Sequence, residues 1–312
     1  MQYIFVHSLT YVSADCIIIL YKDEKSEIME NTNTIEQSIA EKFNKTIWSK
    51  FNKAVSSYQL IQEGDRIAVC ISGGKDSLLM AQCMNRLHRY SRIPFELEFL
   101  VMNPGYNTVN RQKILENAEL LGLPVQMYET KIFSSVEKEN SNPCFLCSRL
   151  RRGWLYKKAQ ELGCNKIALG HHFDDVIETI LMGMLYGSQI QTMMPKLHSE
   201  NYKGMQLIRP LYLVREADII QWQQHNNLQF LRCACSLTES KASSGKTSSK
   251  RQEIKELLKQ QRTVNPAVDM NIFRSVENVN LQTLISYHIG DDYHHFLDSY
   301  NEGRSIRGTI CE

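Results

Sequence analysis

Ile67-Ala68-Val69-Cys70-Ile71 runs into Ser72-Gly73-Gly74-Lys75-Asp76-Ser77 and then into Leu78-Leu79-Met80-Ala81. An apolar run, a glycine turn and a helical stretch, in that order, predict a strand that passes through a tight loop into a helix N-terminus. The two glycines carry no Cβ, so the backbone can approach a ligand closely. The free N–H groups and the positive helix end suit an anion. Lys75 adds a point charge, and Ser72 and Ser77 add hydroxyl donors. Gly-Gly alone would suit any strand–helix turn; with Lys, Asp and two Ser packed round it, the loop reads as a phosphate cradle. Its glycines are closer together than those of the GxxxxGK[ST] nucleotide loop.

Outward from the loop the pattern repeats. Ile35, Ile39, Phe43, Ile47, Phe51 and Val55 recur at four-residue spacing and predict an amphipathic helix over 34–60. Downstream, helices are predicted at 77–90, 109–121, 148–162 and 173–186, and strands at 95–102, 125–128 and 166–169. Gly122 has the position of a helix C-cap. This alternation predicts an α/β fold, a doubly wound parallel sheet with helices on both faces. Ligands in such folds sit beyond the C-terminal strand ends, where the glycine loop and Gly170-His171-His172 both fall. Residues 236–250 are a polar, Ser/Lys-rich run with little to bury. Helical patterns follow at 252–261 and 266–285, while 287–312 carries no clear pattern. The expected organisation is an N-terminal extension over 1–33, with Met29 as an alternative start, a nucleotide-binding domain over 34–235, a loop over 236–250 and a helical region over 251–312.

With 43% hydrophobic and 22% charged residues in 312, the chain can bury a sizeable core. A net charge of +2 excludes an overwhelming field for polyanions, so any nucleic-acid surface must be local. Ile17-Ile18-Ile19-Leu20 is too short to span a bilayer and lacks the flanks of a secretory signal. Nine Cys in such a chain point to a reducing, cytoplasmic setting, where Cys means metal or catalysis more often than disulfide.

Three clusters carry further chemistry. Cys144-Phe145-Leu146-Cys147 opens a helix behind Pro143, and Cys233-Ala234-Cys235 closes a short apolar segment. Two sulfurs at a helix start can hold one metal ion or cluster, or act as a redox pair. Cys-x-Cys is a poor bite for a structural zinc knuckle, whereas three thiolates on a 4Fe–4S cluster would leave one iron open. Cys70 reads as core. Arg149, Arg151 and Arg152 wrap most of a helix turn beside the first pair, as a solvated face or as a patch for RNA or nucleotide phosphates. Gly170-His171-His172-Phe173-Asp174-Asp175 sets two His and two Asp at a strand end; beside a phosphate loop it faces nucleotide, Mg²⁺ or acceptor base. Arg209, at another strand end, suits a phosphate or a surface ion pair equally.

SGGKDS at 72–77, Cys-x-x-Cys-Ser-Arg-Leu-Arg-Arg-Gly at 144–153, Leu-Gly-His-His-x-Asp-Asp at 169–175, Ile-Arg-Pro-Leu at 208–211 and Arg-Glu-x-Asp-Ile at 215–219 occur here in that order. The set resembles the tRNA 2-thiocytidine synthetase family (TtcA) of PP-loop ATP pyrophosphatases over about residues 44–258. The resemblance implies an adenine-nucleotide α-hydrolase fold, ATP, Mg²⁺ and an oxygen-sensitive 4Fe–4S cluster held by three Cys. It implies a tRNA sulfurtransferase that adenylylates an anticodon-loop cytidine carbonyl and replaces its oxygen with sulfur.

Carried over residue by residue, Ser72, Gly73, Gly74, Lys75, Asp76, Ser77, Gly170 and His171 would bind ATP. Lys75, Asp76 and Asp175 would be catalytic. Cys144, Cys147 and Cys235 would hold the cluster, with Cys233 as the alternate, and Arg149, Arg151 and Arg152 would bind RNA. The implied partners are tRNA and a sulfur donor such as a cysteine desulfurase, with no membrane and room for a homodimer. The chain departs from the family in its Cys-x-Cys where Cys-x-x-Cys is usual, in the Ser/Lys-rich insertion, and in Met194 where a proline is expected. Rival readings are a thiouridine-forming sulfurtransferase, a lysidine synthetase with no use for the cysteines, another PP-loop ligase on a non-tRNA substrate, and a nucleotide sensor without turnover.

Overall fold

The computed structural model describes residues 31–136, 143–231 and 249–301. The chain divides into two compact units, Met1–Asp175 with Met194–Thr247, and Val176–Met193 with Ser248–Glu312.

In the first unit, strands β1 (Arg66–Ile71), β2 (Glu96–Asn103), β3 (Val125–Glu129), β4 (Lys166–Ala168), β5 (Lys196–His198) and β6 (Gln206–Ile208) form one sheet in the order β3-β2-β1-β4-β6-β5. All neighbours pair in parallel except β5, which runs antiparallel to β6 at the edge. That three-residue edge strand has no apolar run to announce it, and the sequence reading passes over it. β1 is central: Ile67, Val69 and Ile71 enter one core cluster, and Ala68 and Cys70 enter another. A strand buried on both faces reads as a continuous apolar run, as this one does. The order reverses direction between β1 and β4, which makes their C-terminal ends the switch point where open α/β sheets leave a crevice.

Helix α1 (residues 31–40) and α2 (Ser49–Ser57) replace the single predicted helix and are joined through a π turn at Asn44–Trp48. The spacing explains the interruption. In an α-helix each four-residue step turns about 40° past a full circle, so five such steps would carry the apolar row about 200°, to the opposite side of the helix. Widening one turn rewinds the row, and Ile35, Ile39, Phe43, Ile47 and Phe51 all end up buried. Phe43 N–H donates to Ser38 O and Trp48 N–H to Phe43 O, five residues back in each case.

Helices α3 (Lys75–Tyr90), α4 (Thr108–Leu120), α5 (Ile132–Val136) and α6 (Pro143–Glu161) follow their strands, and α8 (Glu216–His225) follows β6. Helix α7 (Phe173–Gly187) begins in the first unit and runs on into the second. At the N-terminal end of the sheet, Lys166 Nζ lies 2.6 Å from Asp65 Oδ2 and donates to Leu60 O at 3.1 Å, fully buried. Asn165 and the Gln62 amide donate to the same carboxylate.

The second unit contains α9 (Lys250–Val264), capped by Ser249, and α10 (Val268–Ser275). Glu178 on α7 is buried between Arg251 and Lys255, at 3.7 and 3.6 Å. The helix expected over 266–285 stops at Ser275. Asn280 then caps a short 3₁₀ turn, and the chain enters the hairpin β7 (Ser286–Ile289) and β8 (Asp292–His295) before α11 (Phe296–Asn301). Among the described residues no helix is long and apolar enough to cross a membrane.

Candidate active site

The loop after β1 folds on its own hydroxyls. Ser77 Oγ donates to Gly74 O at 3.0 Å and accepts from the Ser72 amide at 3.1 Å, and the two seryl oxygens lie 3.1 Å apart. Gly73 adopts φ of +85°, and a Cβ there would lie 2.7 Å from Ile114 Cγ1, so glycine is required on both counts. Among the described residues no side chain caps the N-terminus of α3, whose first N–H groups suit an anion. Gly170, at the end of β4, brings the second turn against the first: a Cβ there would lie 3.0 Å from the Ser77 backbone.

His172 is buried at the centre of the charged groups. Its Nδ1 accepts from the Asp175 amide at 3.4 Å, which puts the proton of the neutral ring on Nε2. That Nε2 lies 3.8 Å from Asp76, 3.5 Å from Asp175 and 4.0 Å from Glu216. Asp175 in turn accepts from the His172 amide at 3.1 Å. Lys75 Nζ is 3.1 Å from Asp76 Oδ1 and 2.9 Å from Glu216 Oε1. Burial works against its charge, but the Asp76 and Glu216 carboxylates outweigh that and hold its pKa above the ordinary lysine value. Asp174 accepts from the Glu216 amide at 2.8 Å and so fixes the start of α8.

A cavity of about 350 Å³ opens here, lined by Ser72, Asp76, Ser77, Gly170, His171 and Asp175, and on the α6 side by Ser148, Arg151 and Arg152. The structure thus unites three motifs read separately in the sequence. Arg149 does not face this cavity, and Lys75 turns to Glu216. Glu216 and Ser148 were given no role from sequence, and His172 and Asp174 only a shared one in the His-His-x-Asp-Asp cluster, although all four lie inside the family motifs. An acid opening a helix, as in Arg215-Glu216, is the signal that could have found Glu216.

Arg209 is buried at the end of β6, and burial lowers its pKa to about 10, with Arg152 nearby acting in the same direction. It donates to the main-chain carbonyl of Met194, a bond that does not depend on the side chain there, so the departure from proline leaves it intact. Burial pushes the Cys70 thiol up to about 12, which fits the core role read for it.

Cys147 is half-buried against Met102, Ile132 and Val136. The Cys144 side chain, Cys233 and Cys235 lie outside the described residues, as do Cys16 and Cys311. The chain leading to Cys233 is nonetheless anchored: the Leu231 amide donates to Gly73 O at 3.1 Å. The cavity, its hydroxyls and the uncapped helix end fit a nucleoside triphosphate. Asp76 and Asp175 fit a divalent cation on its phosphates. Cys144 and Cys147 stand three apart in the first turn of α6, a spacing that suits two ligands of one cluster.

Residues 39–236 match the model of the PP-loop domain family. The chain is 34% identical over 253 residues to the tRNA-cytidine(32) 2-sulfurtransferase of Alcanivorax borkumensis, covering 80% of this chain and 86% of that protein. It is 35% identical over 242 residues to the enzyme of the same name from Citrifermentans bemidjiense, covering 77% and 92%. In fold it is similar to the U34-tRNA thiolase NcsA of Methanococcus maripaludis, solved with its [4Fe-4S] cluster. That match has a TM-score of 0.57 at 20% identity over 83% of this chain and 88% of that one. With the glycine loop, the His-Asp turn and the arginine helix joined round one cavity, these matches mean that the chain belongs to the tRNA 2-thiocytidine synthetase family of PP-loop proteins.

Proposed function

We propose that this protein is an ATP-dependent tRNA sulfurtransferase that converts an anticodon-loop cytidine to 2-thiocytidine. The observation that carries this reading is the cavity shared by the phosphate loop, Asp175 and the arginine face of α6. A base carbonyl is a poor electrophile with a poor leaving oxygen. Attack of that oxygen on the α-phosphorus of ATP expels pyrophosphate, and the oxygen can then leave with AMP when sulfur adds at carbon.

Ser72, Ser77 and the first amides of α3 hold the phosphates in place, so little reorganisation is left for the reaction itself. Lys75, kept protonated by its carboxylate neighbours, adds a fixed positive charge at the loop. His172 orients Asp175 and offers its Nε2 proton towards the carboxylates. Asp76 and Asp175 would hold Mg²⁺, which supplies charge neutralisation for the departing pyrophosphate. Cys144, Cys147 and Cys235, or Cys233 in its place, would hold a 4Fe–4S cluster, which supplies an iron open to sulfur. Arg149, Arg151 and Arg152 would bind the RNA. A cysteine desulfurase as sulfur source, a homodimer and a cytoplasmic setting complete the reading.

The test is mass spectrometry of tRNA nucleosides from cells with and without the gene, with protein purified anaerobically for reconstitution. Loss of 2-thiocytidine on deletion supports the proposal. Loss of a 2-thiouridine instead moves the acceptor to another base, and an unchanged nucleoside profile overturns tRNA as substrate.

A further inference from the structure

Two cavities share the wall made by α6. The first holds the phosphate loop. The second, of about 710 Å³, lies round the helix and is bounded by Phe145, Arg149, Arg152 and Lys157, and by Asn201 and Tyr202 from the β5–β6 connection. A helix turns about 100° per residue, so Ser148, Arg151 and Leu155 line the first cavity while Arg149, Gly153 and Lys157 line the second. Ser148 and Arg152 stand on the ridge between and belong to both.

Among the described residues, the charged side chains lining the second cavity are Arg149, Arg152 and Lys157, all cations. Phe145 is 63% exposed, a large apolar ring left in solvent at the mouth of a basic groove. The floor is stiff: Tyr202 stacks on Tyr156 with centroids 5.0 Å apart and donates its hydroxyl to Gly153 O at 2.9 Å. A row of cations beside an exposed aromatic face suits a single strand, whose phosphates take the charges and whose unstacked bases take the ring.

We propose that this groove seats the single-stranded RNA segment flanking the base activated in the first cavity. Arg149, Arg152 and Lys157 take its phosphates, Phe145 stacks one neighbouring base, and the strand crosses the ridge at Arg152 to turn the target base inward. The inference rests on the reading of this protein as a tRNA thiolation enzyme and adds where the loop lies.

The probe is an anticodon stem–loop RNA with 2-aminopurine next to the target cytidine, titrated into the full-length protein. Wild type should quench the fluorophore. Phe145→Leu, which keeps an apolar side chain but no ring, should lose the quench and bind about tenfold more weakly, and Phe145→Tyr should restore both. Lys157→Glu should lower affinity about tenfold, and Lys157→Gln should flatten the log–log salt dependence by about 0.7, the value for one neutralised phosphate on a single strand. Melting temperature controls for folding in each variant. If wild type binds and thiolates tRNA while all of these variants bind as tightly and with the same salt slope, the groove is overturned and the function stands. If wild type binds no RNA, both fall.

Discussion

Lys75 Nζ lies 2.9 Å from Glu216 Oε1, joining the phosphate loop to the start of α8 across 141 residues of sequence. The pair is held from behind, since Asp174 accepts from the Glu216 amide. An arriving triphosphate meets a lysine that is already charged and already tethered. This contact marks Glu216 as a candidate positioning residue that would act on phosphate through Lys75.

Lys75→Ala should abolish ATP-dependent AMP formation in a folded protein. Glu216→Gln should act through pH. The Lys75 pKa lies above the ordinary lysine value because Asp76 and Glu216 outweigh its burial. A raised lysine pKa means the charge persists to higher pH and is lost only as pH passes the raised value. Removing the Glu216 charge leaves burial less opposed, so the alkaline limb of the AMP-formation profile should move to lower pH, with the acid limb unmoved. An identical profile in Glu216→Gln would remove Glu216 from the machinery.

The three arginines divide by cavity. Arg151 lines the nucleotide cavity, Arg149 the groove, and Arg152 both. Arg151→Ala should raise the KM for ATP more than it weakens RNA binding, and Arg149→Ala should do the reverse. For every RNA phosphate that a substitution leaves without its cation, the log–log salt slope should fall by about 0.7–0.9. Equal effects of the two substitutions on both ligands would contradict this division.

Lys166 and Asp65 form a buried pair beneath the sheet, with a 2.6 Å separation. Lys166→Met should cost on the order of 3–5 kcal/mol, because it strands the Asp65 carboxylate in the interior. Urea unfolding measures it. A destabilisation below about 1 kcal/mol, the scale of an exposed pair, would mean that solvent reaches the site.

The strand–loop–helix at 67–81 was legible because burial on both faces and the glycine turn leave plain marks in neighbouring residues. The π turn was legible only in part: the four-residue spacing shows that the row is buried, but a regular α-helix cannot keep that row on one face. Glu216 was not assigned a role, since its link to Lys75 exists only once β6 has placed α8 beside the loop. The hairpin 286–295 was also missed, its strands being four residues each and rich in His, Tyr and Asp rather than in an apolar run.

The third cluster thiol can be assigned by experiment. In the proposed assignment Cys144 and Cys147 would supply two ligands, and a cubane with one open iron needs a single further one. Cys233 and Cys235 compete for that place. In an extended chain residues two apart point the same way, so direction does not separate them. We expect Cys235, because it corresponds to the later cysteine of the family's Cys-x-x-Cys. After anaerobic reconstitution, Cys235→Ala should lose the four-iron content and the EPR signal of the reduced cluster, while Cys233→Ala keeps both. A cluster that survives in Cys235→Ala and fails in Cys233→Ala reverses the assignment, and stoichiometric zinc without iron in wild type overturns the cluster itself.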